Sequence, residues 1–228
     1  LHKQKIDTPR VLLLIEFSEE SGSPDLPHYM DLCSKEIGTP DLVICLDSGA
    51  GDYNRFWNTT SLRGLIGARL RVDVLKEGVH SGGASGYVPS SFRVARQLLS
   101  RIEDENTGEI KPEWLHTKIS DKMREQATQI INLNSESDDD FPLLEGVEKQ
   151  VNDPLDIFLT MNLSPSLSII GADGIPSIQD AGNVLRTNTD LKISIRTPPG
   201  ISADEVAIKV QKLLEENPPN GAHVSAKM

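Results

Sequence analysis

A chain of 228 residues with 37% apolar content is long enough for one large domain or two ordinary ones, each with a real core. Its formal net charge of -11 argues against a nucleic-acid partner, since neutralising phosphates takes clustered Lys and Arg. No stretch is long enough to cross a bilayer, the start carries no secretory pattern, and Cys33 and Cys45 lack metal-ligand spacing. The cysteines' apolar contexts predict buried free thiols in a cytoplasmic protein.

Residues 11–17 (VLLLIEF) form an apolar run of strand length that ends in Glu16, Glu19 and Glu20, followed by the turn formers Ser21, Gly22 and Ser23. Adjacent carboxylates repel in a low dielectric, and a divalent metal ion is their strongest compensator; a solvated loop is the alternative reading. Residues 26–37 (LPHYMDLCSKEI) read as an amphipathic helix stopped by Gly38, Thr39 and Pro40. Residues 41–46 (DLVICL) read as a second buried strand, ending in Asp47 and Ser48-Gly49. Strand, helix and strand in this order predict a parallel crossover with Glu19, Glu20 and Asp47 at the carboxyl ends of its strands, where open α/β sheets place ligands.

Near Trp57 the pattern changes. Residues 61–75 alternate polar and apolar positions between Arg69 and Val74, as in a half-exposed antiparallel strand. A glycine-rich loop over 78–86 (GVHSGGASG) holds His80, and a helix is predicted over 89–103 with Phe92, Val94, Ala95, Leu98, Leu99 and Ile102 on one face. The loop lacks the lysine and Ser/Thr of a phosphate-binding loop, so nucleotide binding is the weakest reading. Residues 104–153 read as a polar surface insertion with a helical signal over 119–131 and an acidic run, Glu136 to Asp140, taken as solvated. Strands are predicted over 166–171, 190–196 and 222–228. A helix over 203–216 is predicted to be capped by Ser202, with Glu205 completing a capping box. The fold class is therefore α/β: a partial parallel sheet (strand, helix, strand), then from about residue 61 an α+β unit, an antiparallel sheet with two helices on one face.

Seven motifs in order, FSEESGS, LDSG, SLRGLIGARLRVDV, GVHSGG, PSLSIIGADG, AGNV and KISIRTPPG, resemble the di-metal exopeptidases that include carnosinase, cytosolic dipeptidase, carboxypeptidase G and aminoacylase. The likeness is strongest to the carnosinase-type dipeptidases and spans nearly the whole chain. It implies that Glu19 is the general base acting on a metal-bridging water, with Glu20 a ligand of one metal and Asp47 a ligand of the other. It further implies that His80 reaches the partner subunit's active site and polarises the scissile carbonyl, that Arg196 grips the substrate carboxylate, and that Asn183 helps hold the substrate. Two divalent ions, zinc or manganese, a homodimer through the lid, and a small peptide or acyl-amino-acid substrate follow from the same resemblance. These roles are chemically coherent, since an activated water, a carboxylate base and an oxyanion donor suffice for amide hydrolysis.

The upstream His-x-Asp pair, the bridging aspartate and the downstream histidine of the family have no candidates, His2 lying too near the start. Asn183 stands where relatives carry Thr or Asn, and Arg186 where they often carry Pro. The resemblance implies a middle segment of a metal-dependent dipeptidase, inactive by itself: a partial catalytic domain over 1–58, then a lid and dimerisation domain over 59–228 with a polar insertion at about 104–153. An acyl-amino-acid amidohydrolase and a non-catalytic dimerisation module remain as alternatives.

Overall fold

In β1 (Gly64–Asp73) the side chains of Ile66, Ala68, Leu70 and Val72 are buried on one face, while Arg69 and Arg71 lie on the other. The same alternation in β5 (Asn188–Thr197) buries Leu191, Ile193 and Ile195. β5 runs antiparallel to β1 with Ile66 opposite Ile195 and Leu70 opposite Leu191, so the two apolar faces coincide. β3 (Ser166–Asp173) and β6 (His223–Lys227) complete an antiparallel sheet in the order β3-β5-β1-β6, with a register shift in β3 between Ile169 and Gly171. These facts come from a computed structural model, which describes residues 7–47, 50–133 and 141–228.

The buried face of the sheet is covered by α4 (Ser91–Leu99) through Val94, Ala95 and Leu98, and by α7 (Ala203–Glu215) through Val206, Val210 and Leu214. Ser202 caps α7, its side chain accepting from the Glu205 N–H at 3.4 Å, and Ser90 caps α4 in the same way from Arg93. Arg101 ties the ends of both helices together by donating to the carbonyls of Leu213 and Asn217, each at 2.8 Å. Mixed α/β architecture, with an antiparallel sheet and two covering helices, is thus as the sequence predicts.

Residues 104–153 are not merely a surface insertion. Ile110 and Leu115 enter the core, with Trp114 packed against it, because the chain folds back after α4 through a Glu103–Ile110 bridge. The helical signal over 119–131 appears as α5 (Asp121–Leu133), and a helix that the alternation did not reveal, α6 (Pro154–Leu163), lies beside it. Asp153 caps α6, accepting from the N–H groups of Leu155 at 2.9 Å and Asp156 at 3.1 Å. The acidic run at 136–140 lies outside the described residues, as does His2.

The chain divides into two units, Leu1–Gly49 and Ala50–Met228. In the first, the predicted 26–37 helix is split into α1 (Leu26–Leu32) and α2 (Ser34–Ile37), because Cys33 leaves helical geometry at ψ 11. The parallel strand–helix–strand is a correction. Among the described residues neither 11–17 nor 41–46 forms a strand, and Leu13 and Ile44 are 76% and 70% exposed. A parallel strand needs ladder partners and helices over both faces, and the two short helices of this unit supply neither. Cys33 and Cys45 are likewise exposed free thiols rather than buried ones.

Candidate functional site

The glycine-rich loop folds into β2 (Val79–His80) followed by a single turn, α3 (Ser81–Ala84). β2 pairs with β4 (Val184–Leu185), placing Val79 opposite Leu185 and His80 opposite Val184, and the Ser81 N–H donates to the Asn183 carbonyl at 2.9 Å. The structure therefore brings His80 and Asn183 together. Both side chains lie on exposed positions. Two glycines make this possible by lacking a Cβ. At Gly78 it would stand 2.9 Å from Val184 Cγ1, and at Gly82 it would stand 2.8 Å from His80 Cε1.

His80 caps its own turn. The Gly82 N–H donates to His80 Nδ1 at 3.1 Å, so Nδ1 is an acceptor and the proton of the neutral imidazole resides on Nε2. The free edge of the ring is thus an N–H donor, the group needed to stabilise a developing oxyanion.

Arg196 lies near the end of β5 on the open face of the sheet, opposite Leu65 of β1 and Ser166 of β3, and it is exposed. Nearby is Arg63, which the sequence reading did not single out. Its Nη1 donates to the carbonyl oxygens of Thr160 at 3.4 Å and Ser164 at 3.3 Å, and to Ser166 Oγ at 3.4 Å. Burial holds the Arg63 guanidinium below its ordinary pKa, and the charge of Arg196 adds to the effect. Among the described residues no carboxylate is paired with either arginine. Farther along the same open face the other arginines are compensated. Asp190 is buried and accepts two bonds from Arg69 Nε at 2.9 Å, with Arg71 Nη1 at 3.6 Å. Hydrogen bonds from Arg69 hold Asp190 below the usual carboxylate range against the opposing effect of burial.

In the first unit Glu19 and Glu20 open a 3-10 turn, Glu19–Ser21, closed by the Gly22 N–H donating to the Glu19 carbonyl at 2.8 Å. Gly22 adopts φ 87, a left-handed turn that favours glycine. Glu19, Glu20 and Asp47 are all exposed. Among the described residues no group of three or more His, Cys, Asp or Glu side chains could hold a metal ion, so the donor set does not by itself fit a two-metal centre.

A four-stranded antiparallel sheet covered on one face by two helices thus carries a histidine loop and, among the described residues, an exposed arginine, Arg196, without a carboxylate partner. The peptidase dimerisation domain family (M20 dimer) matches residues 60–222, and the chain belongs to that family. Cysteinylglycine-S-conjugate dipeptidase of Corynebacterium striatum is 27% identical over 216 residues, covering 95% of this chain and 46% of its own. Among solved structures, the di-peptidase Dug1p of Saccharomyces cerevisiae superposes with a TM-score of 0.61 at 21% identity, covering 93% of this chain and 45% of its own. The metallo-carboxypeptidase Sso-CP2 of Sulfolobus solfataricus gives a TM-score of 0.63 at 18% identity, covering 92% and 47%. The chain spans about half the length of the curated relative it matches, 46%. The family read from the seven motifs is thereby shown.

Proposed function

We propose that the protein to which this chain belongs is a metal-dependent dipeptidase cleaving short peptides with a free carboxylate. Residues 1–58 are proposed as part of its catalytic domain and 59–228 as its lid and homodimerisation domain. The observation that supports the reading is the pairing of β2 with β4, which joins the His80 turn to the Asn183 loop while the Gly82 N–H bond to Nδ1 leaves the other ring nitrogen of His80 open.

In this reading Arg196 binds the substrate carboxylate with both prongs of its fork. Asn183 hydrogen-bonds the substrate backbone, and His80 Nε2–H donates to the scissile carbonyl oxygen as it gains charge, in the active site of the partner subunit. Glu19 accepts a proton from the attacking water. Glu20 and Asp47 are proposed as one ligand each to two divalent ions, zinc or manganese, in the intact protein. Support comes from the dipeptidase relative and from the family's description as a dimerisation domain. The free thiols are compatible with a cytoplasmic setting.

The test is hydrolysis by the full-length protein loaded with zinc or manganese. Three compounds suffice: an S-conjugate of cysteinylglycine, taken from the relative's name, its C-terminal amide, and an N-acetyl amino acid. Cleavage of the first alone is expected. Preference for the third would favour an acyl-amino-acid amidohydrolase, and a stable dimer cleaving none of the three would leave the dimerisation module.

A further inference from the structure

We infer that Arg63 is a positioning residue for Arg196: it occupies the carbonyl oxygens at the end of α6 and so holds the Arg196 guanidinium free for an incoming carboxylate. The inference rests on the carboxylate-gripping role proposed for Arg196. Its geometry is local. Ser166 is the register partner of Arg196, and the Ser166 hydroxyl accepts from Arg63. The same Arg63 nitrogen also meets the carbonyls of Thr160 and Ser164.

Helix ends leave backbone carbonyls without intrahelical partners, and these carry the negative end of the helix dipole. A long cationic side chain next to such carbonyls tends to fold onto them. Arg196, the register partner of Ser166, makes no bond to them among the described residues; Arg63 occupies them and repels a second guanidinium. Two adjacent guanidiniums with no carboxylate between them form a receptor for one anion. Lysine at position 63 would preserve the charge and the carbonyl contacts; glutamine would remove the repulsion and let Arg196 collapse.

The direct readout is the rate of phenylglyoxal labelling of Arg196 in the full-length protein, followed by mass spectrometry of its peptide. In R63Q labelling should slow about threefold or more, while R63K labels near the wild-type rate. In the metal-loaded enzyme R63Q should raise KM for the cysteinylglycine S-conjugate about tenfold with kcat nearly unchanged, and R63K should restore it. A merely structural cap would lower the melting temperature without altering Arg196 labelling, and wild-type labelling in folded R63Q overturns the inference. Should R63Q not fold, Ser166→Asp decides, since a carboxylate opposite Arg196 must slow its labelling, and an unchanged rate is again contrary. Slowed labelling in R63Q without protection of wild-type Arg196 by the dipeptide would uphold the positioning role and reject the carboxylate reading. Protection with unchanged R63Q labelling would do the reverse.

Discussion

Ser81 donates its backbone N–H to the carbonyl oxygen of Asn183 at 2.9 Å, one residue beyond the point where His80 faces Val184. A loop carrying a titratable ring and a loop carrying an amide, about a hundred residues apart in the chain, are thereby one structural piece. Substitutions in either loop should act on both.

Gly82→Ala tests the dependence of His80 on its neighbour. The new Cβ would stand 2.8 Å from His80 Cε1 and 3.0 Å from Nδ1, so the ring must turn and lose the Gly82 N–H bond. In the full-length enzyme kcat should fall about 10- to 100-fold, as for loss of an aligned oxyanion donor. The loop is exposed, so urea unfolding should move by no more than about 0.5 kcal/mol.

Leu70→Ala probes the core of the lid. Leu70 is 0% exposed, lies opposite Leu191 on β5 and Ala226 on β6, and belongs to the cluster under α4 and α7. Truncation should cost about 2–5 kcal/mol by urea denaturation, with the upper end expected because the rigid strands on both sides restrict collapse.

Asp190 gives a pH signature. Its pKa is held below the ordinary value by hydrogen bonds from Arg69, so its stabilising contribution is complete above the ordinary carboxylate pKa of about 4. The contribution is lost as pH falls through the depressed folded value. Asp190→Asn should cost about 1–3 kcal/mol at pH 7 and flatten this part of the acid limb of the stability curve. A wild-type acid limb in the variant would contradict the assignment.

Asp153→Ala should destabilise the lid by about 1 kcal/mol, because two N–H groups of α6 lose their shared acceptor. Since the far end of α6 holds Arg63, the same variant tests whether loosening the helix reaches the arginine pair. A rise in KM for a dipeptide without a change in kcat is the expected sign.

The lid was legible because its strands are covered on one face only. Arg69, Leu70, Arg71 and Val72 announce both the strand and the buried side, and Ser202 with Glu205 announces the start of α7. Residues 11–17 and 41–46 carried an equally clear apolar signal, yet strand formation depends on partners that local pattern does not encode. α6 was obscured for a different reason. Its apolar residues, Leu155, Ile157, Phe158, Leu159, Met161 and Leu163, surround the helix and leave little 3.6-residue periodicity. The Asp153 cap followed by Pro154 at the start was a usable signal. Arg63 lay inside a motif that carried the family resemblance. Its role depends on Thr160 and Ser164, about a hundred residues away, and so could not be read from spacing.

In the proposed function His80 serves the active site of the partner subunit, so that each lid completes a site in the other chain. Full-length His80→Ala and Glu19→Ala subunits, each inactive alone, should be mixed under conditions that exchange subunits and assayed on a dipeptide. Partial recovery is expected, because each heterodimer contains one site with an intact Glu19 and an intact His80 from the other chain. Verified heterodimers with no activity above either parent would contradict it.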